Sequence, residues 1–110
     1  MKVYIVNCKW HNDGSYEDYS HGGNLIKANS SYDKAKGTIL EYCCKEKEKN
    51  LKKGIFMSEL KHFSEDSEND KIYESQFEYI IPAKEWWEFE TRNGYDSLYI
   101  GLYITEMEID

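Results

Sequence analysis

The chain lacks the patterns that define most readily assigned classes of protein. No apolar run approaches the roughly 20 residues needed to cross a bilayer, so no membrane-spanning helix is expected. The opening Met1-Lys2-Val3-Tyr4-Ile5-Val6 turns polar too soon for a secretory leader, and we expect a cytosolic protein. Cysteine is scarce and odd in number, 3 in 110 residues, with Cys43 and Cys44 adjacent, which excludes a secreted disulfide framework. Positive charge is also short: 14 Lys and Arg stand against 21 Asp and Glu, a net of -7. Phosphate contacts need Lys and Arg, so direct binding to nucleic acid or to an anionic membrane is not expected. Gly14, Gly22 and Gly23 fall between two strands rather than between a strand and a helix, so there is no phosphate-cradling turn.

What is present is unevenly distributed. Residues 1–53 hold 10 Lys and 7 acidic residues, while residues 54–110 hold 3 Lys, 1 Arg and 14 acidic residues. The first half therefore carries +3 and the second -10. The acidic half also contains Trp86, Trp87, Phe89, Tyr95, Tyr99 and Tyr103. At 110 residues, with 40% hydrophobic and 15% aromatic content, the chain is one domain able to bury a core without metal or disulfide.

The pattern of elements indicates an α+β fold over residues 1–110. We expect a mostly antiparallel sheet of about five strands with one main helix packed on a face. Val3 to Trp10 reads as a central strand, apolar on both faces. A loop over 12–24 precedes a short strand at Leu25 to Ala28. Ser30 with Asp33 forms a loose capping box, and Tyr32, Ala35, Ile39, Tyr42 and Cys43 recur at helical spacing. Residues 54–71 show no clear period. Tyr73, Phe77, Tyr79 and Ile81 then alternate as a half-buried strand that Pro82 ends. Asn93-Gly94 marks a two-residue hairpin turn. With those two residues as the loop, Phe89 faces Leu98, Trp87 faces Ile100 and Trp86 covers Gly101.

Catalytic and metal-binding sets are incomplete. Cys8 and His11, with His21, have the spacing of a partial zinc site or a thiol–imidazole pair, but no complete ligand set or orienting group accompanies them. A core role for Cys8 is simpler. Asp66, Glu68 and Asp70 resemble a calcium loop, but Lys71 stands where the turn glycine belongs. Glu88 and Glu90 share a strand face that we expect to meet water. No metal, no cofactor and no catalytic residue is assigned.

Two binding surfaces remain. In the first, Trp86, Tyr99 and Tyr103 anchor a partner while Glu88, Glu90 and the acidic run Glu65, Asp66, Glu68 and Asp70 set its sign as basic. The alternative covering of that face is a packed 54–71 segment. In the second, Lys9, His11, Tyr16, Tyr19, His21 and Lys27 of the 11–28 region hold a small ligand such as a nucleotide, in a dimer. The C-terminal strand, read as an edge, could pair with a second copy.

The opening Met1-Lys2-Val3-Tyr4-Ile5-Val6, the helix start Ser31-Tyr32-Asp33-Lys34-Ala35 and the closing Glu106-Met107-Glu108 resemble small phage and prophage proteins. That group includes anti-defence proteins of the anti-CRISPR type, which are short, acidic and free of enzymatic motifs. The resemblance covers about half the chain and transfers no functional residue. It implies a non-enzymatic inhibitor acting in the host cytosol on a basic nucleic-acid enzyme such as a defence nuclease.

Overall fold

Strand-forming residues fill the first positions of the chain, and Lys2–Asn12 is strand β1. The computed structural model describes residues 1–12, 21–64, 75–77, 81–94 and 96–109, and the fold is stated for these. β1 pairs antiparallel with β2, His21–Asn29, which is longer at both ends than the expected Leu25 to Ala28. A bulge interrupts their ladder between Val6 and Asn7. Helix α1, Tyr32–Lys52, follows at once. Its N-cap is Ser31 rather than Ser30, with the Ser31 hydroxyl accepting from the Lys34 N–H at 3.2 Å. Asp33 in the first turn and Lys49 and Lys52 in the last complement the helix dipole. Gly54, at φ 69°, lets the chain reverse after the helix.

The segment without a readable period supplies two short strands, β3 at Phe56–Met57 and β4 at Lys61–Ser64. The final hairpin is β5, Glu85–Asn93, and β6, Asp96–Glu108. The sheet is six-stranded and antiparallel, in the order β2-β1-β6-β5-β3, with β4 also paired to β5. One helix on an antiparallel sheet is the α+β architecture expected.

Three details differ from expectation. Asn93 pairs with Asp96, so the hairpin loop begins at Gly94, whose φ is 65°. Every partner moves by two residues: Phe89 faces Ile100, Trp87 faces Leu102 and Trp86 faces Tyr103. A shift of two keeps each side chain on its expected face. The strand expected over 73–81 lies largely outside the described residues, and Ser75, Gln76 and Phe77 are not in a strand. Lastly, β6 is central, between β1 and β5, so over its paired length it offers no edge to a second copy. Among the described strands, β2 at the end of the order has β1 as its one partner.

Both faces of the sheet are covered. On one, Val6, Cys8, Phe89, Ile100 and Leu102 pack with Ala35, Ile39 and Cys43 of the helix. On the other, Phe63, Phe77 and Ile81 pack with Trp86 and Tyr103. Gly101 is what lets the second cover approach. A Cβ there would lie 2.8 Å from Ile81 Cδ1 and 2.9 Å from Phe77 Cδ2. We predict that Gly101→Ala lifts this cover and lowers stability by about 1–3 kcal/mol, as overpacking does. Urea unfolding followed by tryptophan fluorescence would measure it; an unchanged midpoint would contradict the close packing described.

Candidate functional site

The site predicted from sequence is the second face of the final hairpin, and its side chains do share one face. Residues 86, 88 and 90 of β5 alternate onto the face that also holds Tyr99, Gly101 and Tyr103 of β6. Their environment is not the one expected. Trp86 is 1% exposed and Tyr103 8%, so neither is available as a surface anchor. The cause is the cover of Phe63, Phe77 and Ile81. Phe63 stacks on Trp86 at 5.9 Å between ring centroids and 14° between planes. Tyr99 remains half-buried, with the His11 ring 5.0 Å away.

Glu88 was expected to meet water and is buried instead, at 5% exposure. The chain leading to Phe77 brings polar backbone against the sheet, and Glu88 satisfies it. Its Oε1 accepts from the Gln76 N–H at 2.9 Å. Its Oε2 accepts from the Trp86 Nε1–H at 2.6 Å and from the Ser75 hydroxyl. A buried carboxylate is tolerated only when its lone pairs are filled, and here three donors fill them. Ser75 Oγ in turn accepts from the Phe77 N–H at 3.1 Å, which fixes the aromatic ring that covers Gly101. Glu88 is therefore a structural clamp. Beside it, Glu90, Tyr99, Lys61, Arg92, Ser58 and Gln76 border a cleft of about 250 Å³. Arg92 is 3.3 Å from Glu90, so part of this charge is internally paired. Glu65, Asp66, Glu68 and Asp70 lie outside the described residues.

The second predicted set is not gathered at one place. Lys27 pairs across from Val6 and Lys9 from Gly23, at β1 positions of opposite parity, so the two lysines leave opposite faces. Lys9 borders a groove of about 310 Å³ with Asn7, Gly23, Asn24, Leu25 and Tyr103. His11 instead joins the first face, where its Nε2 is 3.2 Å from the Gln76 carbonyl and its ring lies 5.0 Å from Phe77. Tyr16 and Tyr19 lie outside the described residues, as does the His21 side chain.

The thiols are placed for packing. Cys8 belongs to the helix-side core and His11 to the other face, so they do not form a pair. Burial pushes the Cys8 thiol up to about 11 and the Cys43 thiol up to about 12, which keeps both protonated at neutral pH. Cys44 is exposed. Among the described residues no group of three or more His, Cys, Asp or Glu could hold a metal ion, and no helix is long and apolar enough to cross a membrane.

One charged residue with a central place was not singled out from sequence. Glu85 starts β5 and joins three elements: it accepts from the Tyr32 hydroxyl, from the His62 Nε2–H at 2.9 Å, and lies 4.0 Å from Lys36. Nothing local marks it, because its partners come from α1 and β4. Comparison with known proteins gives no relative: no family model, no curated protein and no solved structure matches the chain.

Two outcomes are expected. Glu88→Gln keeps the size but turns one acceptor into a donor facing donors, and should cost about 1–3 kcal/mol in chemical unfolding; an unchanged midpoint would show that the clamp is dispensable. At Glu85, burial pushes the carboxyl up, but the Tyr32 hydroxyl, His62 and Lys36 outweigh it and hold the carboxyl below its ordinary value. A depressed carboxyl stabilises the fold above the unfolded-state value and loses that contribution as pH falls through the folded one. The melting temperature should thus fall more steeply between about pH 5 and pH 3 in the native chain than in Glu85→Gln. Parallel curves would remove Glu85 as a pH-dependent tie.

Proposed function

We propose that the protein is a non-enzymatic binding protein that occupies a basic surface of a host protein. In this reading it is an inhibitor of the phage anti-defence type, acting in the host cytosol on a nuclease or other nucleic-acid enzyme. The observation that carries it is the division of charge along the chain. Residues 32–53, the helix and its C-cap, hold seven lysines against four acidic residues. The rest of the chain therefore carries -10. The mechanism is competition: carboxylates pair with Lys and Arg that would otherwise hold phosphate.

The anchors are revised by the burial described above. Trp86, Tyr103 and Glu88 serve the fold. Glu90 and Tyr99, at the cleft beside Lys61 and Arg92, remain part of the proposed surface. Glu65, Asp66, Glu68 and Asp70 of the surface read from sequence are kept in it. No cofactor or metal enters this mechanism.

Tagged protein should retain a basic nucleic-acid-binding protein from a host lysate at low salt and release it near 0.5 M salt, where the Debye length falls to about 4 Å. Replacing Glu65, Asp66, Glu68 and Asp70 by their amides should weaken that capture about tenfold or more without moving the melting temperature. Capture that persists unchanged at high salt, or in the amide variant, would overturn the electrostatic mechanism.

A further inference from the structure

The helix breaks its own pattern. Its inward face begins apolar, with Ala35, Ile39, Tyr42 and Cys43 on the core. The same face continues, at spacings of three and four, with Glu46, Lys49, Asn50 and Lys53. These polar residues do not face water alone. They stand over an apolar floor of Trp10, Leu98 and Ile100, across a cleft of about 560 Å³ that Asn12, Ile55, Thr91, Asn93 and Ser97 complete. A cleft with an apolar floor and a few polar groups converging on it has the usual make-up of a ligand site.

The groups are also unspent. Glu46, Lys49 and Lys53 make no ion pair within 4.0 Å among the described residues. Asn50 is only 8% exposed, yet its amide nitrogen meets just the Met57 sulfur at 3.7 Å, a weak acceptor. Its Oδ1 receives no hydrogen bond from a described residue. The aromatic floor is held in place: the Trp10 ring lies on Gly22, where a Cβ would come within 2.7 Å of Trp10 Cζ2.

We infer that this cleft binds a planar aromatic compound carrying one phosphate or carboxylate. The ring lies on Trp10 between Leu98 and Ile100, since an apolar slot with a fixed indole selects a flat face. Lys49 and Lys53 converge on the anion; both are needed, because the negative end of the helix dipole opposes it. Glu46 and Asn50 meet hydroxyl or amino groups on the compound's edge. The site uses none of the residues of the acidic surface proposed above.

The test is a titration of the full chain followed by amide NMR. The probes are adenosine 5′-monophosphate for the phosphate source and indole-3-acetate for the carboxylate source, with adenosine and inorganic phosphate as ring-only and anion-only controls. We expect at least one aromatic anion to shift Trp10, Asn50, Leu98 and Ile100 and to saturate about tenfold earlier than either control. Lys49→Ala with Lys53→Ala should remove that advantage, and Lys→Arg at both positions should restore it. Both lysines are exposed, so the fold is kept. Amides of the 65–70 run should leave the titration unchanged, which separates this site from the partner surface. The inference is overturned if no probe shifts these residues up to about 5 mM, or if the double alanine variant binds as well as the native chain.

Discussion

Strand β6 has to be dry on both faces, and the chain has one long helix with which to dry them. Leu102 is fully buried on the helix side, and its neighbour Tyr103 is 8% exposed on the other. A central strand paired on both edges cannot leave one apolar face to water without losing about 25 cal/mol for each Å² of apolar area. The second face is therefore covered by Phe63, Phe77 and Ile81, drawn from β4 and from chain outside any strand. That choice imposes the rest. Irregular chain carries unpaired N–H groups, so a buried acceptor is needed, and Glu88 is that acceptor. Close approach needs a residue without Cβ opposite the cover, and Gly101 stands directly across from Glu88. The clamp and the gap are two parts of one solution.

Much of this frame was legible in the chain. Strand β1, the helix and the last hairpin announce themselves through alternation, helical spacing and Asn93-Gly94. The hairpin register was displaced by two because the asparagine closes the ladder and the glycine opens the loop. Face assignments survived, since a displacement of two does not exchange them. β3 and β4 were not legible, because two and four residues are too short for a period to show. Their pairing with β5 depends on where the helix delivers the chain, which is a tertiary fact.

The candidate site was legible in composition and not in exposure. Trp86, Glu88, Tyr99 and Tyr103 do share one face, as alternation required. Alternation cannot tell a face that meets a partner from one that meets another part of the same chain. Aromatics beside carboxylates suit both: in an interface they anchor, and here the Trp86 N–H and the Glu88 carboxylate satisfy each other. Glu85 escaped notice for the related reason that Tyr32, Lys36 and His62 reach it from distant positions.

Charge is the constraint that the fold leaves unsolved within itself. Ion pairs such as Lys2 with Glu106, Lys45 with Glu41, Lys36 with Glu85 and Arg92 with Glu90 take up cations that are already few. Such pairs at the surface are worth about 0–1 kcal/mol each, so they do not account for the acidic excess as a source of stability. The net charge of -7 instead makes the chain self-repelling, a modest cost that folding must absorb. Half of the 14 cations lie in the helix and its C-cap, where Lys49 and Lys53 border the cleft together with Glu46. A chain selected for stability alone would gain by bringing those two populations together. Their separation along the chain is what the two proposals draw on: a basic surface for the carboxylates, and an anion for the lysines.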